Sequence, residues 1–297
     1  MTLSKKTRYS IEPILFMLPL LAMIGLFIYY PLVQNFINSF FRFSAFSPQK
    51  EYVGFENFFR LAHDKVIVTA LKNNFRYAVV SLLVQVCFGL VLAAILEDQF
   101  FKKYSVVFRT TFFLPVLISI TVICLLFTFI YHPTNGLLNG FLSLIGLGSW
   151  QRPWLGSSKT AIWATIAVSQ WQSTGYIMML FIVAIQKIPA ELYEAAELDG
   201  AGKIRKFFTI TIPQVKETFF VASVITVTGS VLVFNEPYIL TAGGGPGTSS
   251  ITLAVYMYQS GFFKDMMGYA SAIAIVIFII SAILAFIQIK AFGTGED

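Results

Sequence analysis

Six stretches of this chain are nearly free of charge and long enough to cross a bilayer, and mixed polar segments separate them. The apolar runs are Pro13 to Val33, Tyr77 to Leu96, Thr110 to Tyr131, Thr160 to Ile185, Thr218 to Leu240 and Met267 to Ile289. About 20 mostly apolar residues carry a helix across the hydrocarbon core. Backbone N–H and C=O groups find no water there, so the runs predict helices that satisfy those groups internally. The alternation over about 10 residues expected of β-barrel strands is not seen. Charge brackets the runs: Glu12 precedes the first, Arg76 and Glu97 flank the second, Lys159 and Lys187 flank the fourth, and Glu217 precedes the fifth. Glu236 differs, because it lies inside the fifth run near its end.

Composition sharpens this picture. The chain is 57% hydrophobic and 12% charged, with a mean hydropathy of +0.74, whereas a soluble domain carries about 25% charged residues. The expectation is an all-α integral membrane protein, a single transmembrane domain over residues 1–297. The net charge of +6 and pI near 9.2 do not point to nucleic acid, because the basic residues sit at the ends of apolar runs rather than on one polar face. Cys87 and Cys124 both fall inside apolar runs, which favours packed thiols over a disulfide, and no metal-ligand spacing accompanies them. Lys5, Lys6 and Arg8 before the first run resemble a signal peptide, yet the run is too long for a signal core and no small-residue cleavage site comes after it. It reads as a retained helix.

Six spans put both termini on one side. If that side is cytoplasmic, the inner segments 1–12, 97–109, 186–217 and 290–297 hold 12 Lys and Arg in about 65 residues, and the outer segments hold 9 in about 95. The bias favours this orientation. Of the outer segments, 34–76 reads either as carrying a short helix lying on the membrane surface or as a simple linker, with Asn73 and Asn74 as caps of the second span rather than ligands. Residues 132–159, with Trp150 and Trp154 among turn residues, fit a surface or re-entrant loop. Residues 242–249, AGGGPGTS, read as a flexible loop.

The inner segment 186–217 is the most informative. Pro189 suits a helix start and Glu191 and Glu194 suit the positive end of its dipole. Ala195 and Ala196 leave room for another backbone. Asp199-Gly200 breaks the helix, since Gly200 can take positive φ and Asp199 can cap the next helix. That second helix carries Ile204, Phe207 and Phe208 at i, i+3 and i+4, an apolar face, with Lys203, Arg205 and Lys206 elsewhere. Pro213 ends it. This pattern predicts a helix–kink–helix knuckle with an apolar face and a charged rim, which is the character of a docking surface. The bland alternative is an amphipathic connector lying on the membrane.

Glu194, Ala195, Ala196, Asp199, Gly200, Ala201, Phe207, Ile210 and Pro213 resemble, at matching offsets, the EAA loop of binding-protein-dependent ABC importer permeases. Ile212 stands where Leu is usual. The resemblance implies a type I importer permease fold, with coupling helices inserted into a cleft of a separate ATPase. The stretches at 52–58, 170–196, 233–246 and 267–275 are similar to the carbohydrate-type permeases, the maltose and glycerol-phosphate transporter relatives. That implies a cell-membrane protein of a bacterium or archaeon, a homologous second permease, two nucleotide-binding subunits that hold ATP and Mg, and an extracytoplasmic binding protein delivering a sugar. No cofactor is expected on this chain.

Sugars are held by hydrogen bonds to hydroxyls and by aromatic rings against their C–H faces. Gln170, Trp171, Gln172, Ser173 and Tyr176 in the fourth span, and Asn235, Glu236 and Tyr238 in the fifth, are therefore candidate pathway residues, with interfacial anchoring or packing as the plain alternative. Ile277 and Ile280 are expected to face lipid. No GxxxxGK[ST] pattern occurs, the glycines at 243–247 lack its lysine, His63 and His132 are isolated, and no nucleophile–base pair can be argued, so no enzyme is expected. The rival reading is a secondary transporter driven by an ion gradient. It calls for embedded acidic residues and paired repeats, of which only Glu236 is visible.

Overall fold

The computed structural model describes residues 12–47, 49–101 and 103–292. Helix α1 runs through Glu12–Ile24, a wider helical turn at Gly25–Tyr29, and Tyr30–Asn38. A two-stranded hairpin comes next, β1 (Phe41–Arg42) antiparallel to β2 (Glu51–Tyr52), with Phe41 opposite Tyr52. Helix α2 (Glu56–His63) supplies a short helix in the segment between the first two spans. The next span, α3 (Lys65–Glu97), begins 12 residues before the apolar run does. Lys65, Lys72, Asn73, Asn74 and Arg76 hide that extension in the sequence, because the three cations are exposed and the buried face sets the hydrogen-bonding Asn73 and Asn74 beside the apolar Ile67 and Ala70.

The third apolar run is not one helix. It forms α4 (Ser105–Leu117) and α5 (Ile120–Ile130), bent by 100°. The bend falls at Ile118-Ser119, both in extended backbone, just past Pro115. Helix α6 (Leu137–Leu144) lies in the next loop, where the Asn139 amide donates to the carbonyls of Pro133 and Arg152 (2.8 and 3.0 Å) and Trp154 Nε1 donates to Asn139 Oδ1 (2.7 Å). The long helix α7 (Ala161–Ile185) leads into α8 (Ala190–Leu198) and the short arm α9, made of Lys203–Lys206, Phe207–Thr211 and Ile212–Gln214. The fifth run is also broken, into α10 (Lys216–Val231) and α11 (Asn235–Leu240). An unanticipated helical pair, α12 (Leu253–Tyr258 with Gln259–Phe263), precedes the last span, α13 (Met267–Phe292). Among the described residues, five helices are long and apolar enough to cross a membrane, or six with the bent pair as one.

Packing centres on α3, α7, α10 and α13. Val86, Leu90 and Ala93 of α3 meet Ile177, Met178, Phe181 and Ile182 of α7 and Ala222 of α10. Gly175 permits a very close approach: a Cβ there would stand 1.8 Å from the Phe112 carbonyl oxygen of α4. Leu61, Ile67, Ala70, Leu253, Ala272, Ile273 and Ile277 form a second cluster. Ile277 is therefore core, and Ile280 packs on that cluster; the lipid-type exposure on α13 belongs to Phe278, Ile279 and Ile283.

Asn73 and Asn74 do cap, but not the helix they belong to. Asn74 Nδ2 donates to Ser230 O (2.8 Å) and Val231 O (3.0 Å), the open carbonyls at the end of α10, and Asn74 Oδ1 accepts from Leu253 N (2.9 Å), an open donor at the start of α12. Asn73 Nδ2 donates to Ser249 O and Ile251 O (2.9 and 2.8 Å). The glycine-rich segment read as flexible is thus a hydrogen-bonded turn with Gly243 and Gly244 buried and Ala242, Gly247 and Thr248 exposed. Thr241 and Ser250 share a hydrogen bond (2.8 Å), and Gly244 at φ +99 sits where a Cβ would be 2.7 Å from Ile251 Cα.

Candidate functional site

Two regions carry the candidate residues, at opposite ends of the bundle. At one end α8 and α9 project as the expected knuckle. Helix α8 closes with Asp199 N donating to Ala195 O (3.1 Å), and the turn passes through Gly200 at φ +74. Ala201 N returns to Ala196 O (2.8 Å). Asp199 does not cap the second arm; Gly202 holds that position without a side-chain bond. Glu194, Ala195, Asp199, Gly200 and Pro213 are exposed, while Ala196, Ala201, Phe207 and Ile210 are half-buried. The expected apolar face splits. Phe207 turns inward against the α3–α7 core, whereas Leu198, Ile204 and Phe208 stay 91%, 77% and 62% exposed. The tip therefore offers apolar surface that the chain itself does not cover.

The knuckle is braced. The Tyr193 hydroxyl and Thr211 Oγ1 lie 2.9 Å apart between the two arms, and Lys206 pairs with Glu197. Lys203 Nζ donates to Asp98 Oδ1 (2.8 Å), tying the second arm to the end of α3. That ammonium is the main reason the Asp98 carboxyl lies below its ordinary pKa. The neighbouring Glu97 pairs with Arg109 of α4 and accepts from Gln186 at the end of α7. Lys203 and Lys206 therefore do not simply point to water, as their spacing suggests. Glu97 and Asp98 are anchors that no motif marks; only their position between two spans hints at it.

Toward the other end, α7 separates its polar residues by face. Gln170 is buried and joins α3: its Nε2 donates to Ser81 Oγ (3.0 Å) and its Oε1 accepts from Gln85 Nε2 (3.0 Å). This uses the side chain for helix–helix bonding and takes it away from an open route. Trp171 packs edge-on to Phe127 at 5.4 Å and stays half exposed. Gln172, Ser173 and Tyr176 share a face with Ser169, at i, i+3, i+4 and i+7, so the pathway candidates of this helix are less scattered than their order along the chain suggests. These four are half-buried or exposed. Glu236 of α11 is 7% exposed, not hydrated at an interface, and its carboxyl faces the Ser169 hydroxyl. Asn235 is exposed beside it. Tyr238 stacks on Phe234 (4.8 Å), and Tyr258 of α12 meets both rings edge-on at 5.3 and 5.4 Å. Ser169, Phe234 and Tyr258 are additions to the expected set, Tyr258 because α12 reads as loop in the sequence. Among the described residues no group of three His, Cys, Asp or Glu could hold a metal ion.

A polytopic helical protein with a braced, apolar-tipped loop between its fourth and fifth spans is the architecture of a transport permease. The family model described as binding-protein-dependent transport system inner membrane component matches residues 85–293, and the chain belongs to that family. It is 57% identical over 288 residues to the probable ABC transporter permease protein YurN of Bacillus subtilis, covering 97% of this chain and 98% of YurN. It is 31% identical to the arabinooligosaccharides transport system permease protein AraP of the same organism, over 95% of this chain and 88% of AraP. A chain in the crystal structure of a bacterial alginate ABC transporter, in complex with an alginate pentasaccharide-bound periplasmic protein, superposes with a TM-score of 0.81 at 25% identity, covering 92% of this chain and 91% of that one. The fold is that of type I importer permeases. This chain is an integral membrane permease component of an ABC importer, not a catalytic subunit.

Proposed function

We propose that this chain is one of two homologous permeases lining the path of an ATP-driven sugar importer whose cargo is an oligosaccharide. The carrying observation is the knuckle: three exposed apolar side chains, Leu198, Ile204 and Phe208, on a loop tied by Lys203 to the end of α3 and packed through Phe207 against the α3–α7 core. An isolated amphipathic connector has no need of such bracing, whereas a loop that transmits motion does. Glu194, Ala195, Asp199, Gly200 and Pro213 lie on the surface gripped by a separate ATPase, with the half-buried Ala196, Ala201 and Ile210 and the inward-turned Phe207 supporting it. Two such subunits hold ATP and Mg, and this chain needs no cofactor. The knuckle end and both termini face the cytoplasm, and the opposite end receives cargo from a binding protein.

Cargo passes along the open face of α7, with Gln172 and Tyr176 for hydrogen bonds and Trp171, Tyr238 and Tyr258 for ring contacts. Asn235 and Glu236 stand at its outer end, and Gln170 holds α7 to α3 rather than touching sugar. AraP is named for arabinooligosaccharides, and the alginate transporter's binding protein carries a pentasaccharide; both support an oligosaccharide cargo. The test is uptake of a panel of labelled oligosaccharides into liposomes holding the permease pair, with and without the nucleotide-binding subunits. Uptake should require both ATP and those subunits. Uptake driven by an ion gradient without ATP would return the reading to a secondary transporter.

A further inference from the structure

Helix α3 ends on Glu97 and Asp98, two carboxylates at the negative end of its own dipole. Neither stabilises α3 there, and both are satisfied by other elements. Glu97 pairs with Arg109 near the start of α4 and accepts from Gln186 Nε2 at the end of α7 (3.3 Å). Asp98 accepts from Lys203 Nζ of α9 (2.8 Å) and, within its own turn, from Phe100 N (2.9 Å). Two adjacent residues thus join α3, α4, α7 and the knuckle. The two links differ in strength. The Lys203 side chain is 72% exposed, and such a pair is individually weak. The Arg109 and Glu97 side chains are only 24% and 17% exposed, so water screens their attraction less. Arg109 Nε is buried with no hydrogen-bond partner among the described residues. An unpaired buried donor is costly, so Glu97, rather than full hydrogen bonding, decides where this guanidinium sits.

Helices α7 and α10 adjoin the knuckle along the chain, whereas α4 and α5 do not. Movement of the knuckle reaches α4 only through side chains. Beyond Arg109, the Phe112 carbonyl of α4 lies against Gly175 of α7. Contacts this close do not slide freely, so displacing the Arg109 end turns α4 about that point. The break at Ile118-Ser119 comes next. Past it, Ile123 and Cys124 of α5 share a buried cluster with Val168 of α7 and Leu240 of α11, and Phe127 packs on Trp171 at 5.4 Å. Helix α11 also carries Asn235, Glu236 and Tyr238.

We propose that Glu97, Asp98 and Arg109 are positioning residues for coupling: they carry movement of the knuckle into α4, and the break at Ile118-Ser119 passes it to α5 beside the candidate sugar residues. The proposal deepens the importer reading and rests on it. It adds to α7 and α10 a second route from the ATPase, one made of charge rather than of continuous chain.

The test uses the complete importer in nanodiscs, with Cys87 and Cys124 replaced by serine, and reads distances between spin labels before and after ATP and vanadate are added. One label stays at Val68 of α3. The other sits at Glu191 of the knuckle, at Thr110 of α4 or at Phe129 of α5, all exposed positions. In the wild type all three distances should shift by about 2 Å or more, the scale of helix shifts in switching proteins. In Arg109→Gln the Glu191 shift should remain, and the Thr110 and Phe129 shifts should fall to less than half. The charge exchange E97R/R109E should recover them. Ser119→Pro stiffens the break without distorting it, since φ −54 at Ser119 and ψ 137 at Ile118 suit proline and the residue before it. It should keep its Tm and the Thr110 shift and lose the Phe129 shift. A wild-type knuckle that moves while Thr110 and Phe129 stay in place overturns the proposal and leaves the importer reading intact. So do full shifts at both positions in a stable Arg109→Gln protein, or a full Phe129 shift in Ser119→Pro. If Arg109→Gln does not fold, the wild-type distances and Ser119→Pro decide. A Glu191 distance that ignores ATP in the complete importer overturns the importer reading and the proposal with it.

Discussion

Replacing Asn74 by alanine should loosen the outer half of the bundle. The side chain is 5% exposed and makes three bonds, two to the last carbonyls of α10 and one from the first turn of α12. Polar bonds between membrane helices average about 0.6 kcal/mol each, which sets a floor of roughly 2 kcal/mol for the three. Leaving the three buried backbone groups without partners would cost about 1–3 kcal/mol apiece, or about 3–9 kcal/mol if none finds a new partner, so a loss of at least roughly 2 kcal/mol is expected. At about 2–4 °C per kcal/mol for a chain of this size, Tm should fall by at least about 4 °C. Cys124 is buried and reports unfolding through a thiol-reactive dye once the exposed Cys87 is replaced by serine. Asn74→Asp keeps the acceptor for Leu253 N but loses both donors, so it too should destabilise. An Asn74→Ala protein melting within about 1 °C of the parent would refute the double-cap account.

Gly175→Ala should be worse tolerated than Gly229→Ala, because the first Cβ meets the Phe112 backbone at 1.8 Å and the second meets nothing within 4 Å; a cost of about 1–3 kcal/mol or more should appear as lower yield and lower Tm. Burial pushes the Asp64 carboxyl up, but hydrogen bonds from Tyr256, Tyr269 and Val66 N outweigh it and hold its pKa below the ordinary aspartate value. A depressed carboxylate contributes stability that is complete above its unfolded pKa and lost as pH falls through the folded one. The Tm deficit of Asp64→Asn should therefore be constant from pH 8 to about 5 and shrink only in stronger acid; a deficit that varies between about pH 8 and 6 would contradict this. Alanine at Gln172, Tyr176, Asn235 or Glu236 should impair oligosaccharide uptake at matched abundance more than alanine at Phe278 or Ile279, and four normal transporters would remove the pathway assignment.

Much of this fold is legible in hydrophobic runs, because a lipid-facing helix must be apolar along its length. The same logic explains the misses. Where a helix end is buried in protein, polar side chains can share the buried face with apolar ones, so the first 12 residues of α3 read as loop although Asn73 and Asn74 hold that part of the bundle together beside Ile67 and Ala70. The bend between α4 and α5 lies inside continuous apolar sequence, and Pro115 is its one mark. Helix α12 is too short to register as a span. At the knuckle the spacing of Asp199-Gly200 announces the turn, yet periodicity alone places Phe207 and Phe208 on one face; contact with the α3–α7 core separates them. On α7 the grouping of Ser169, Gln172, Ser173 and Tyr176 is available from helix geometry, but the adjacent Gln170 and Trp171 obscure it.

The central claim is that an ATPase grips this chain at the knuckle. A single cysteine at Leu198, the most exposed apolar residue of that loop, should cross-link through a short bifunctional thiol reagent to a cysteine in the nucleotide-binding subunit. A cysteine at Ser158, at the opposite end, should give no such product and should instead be labelled by an impermeant reagent in intact cells. Cross-linking from Leu198 that changes with bound nucleotide is the predicted result. An ATPase cross-link from Ser158 and none from Leu198 would contradict both the orientation and the coupling role.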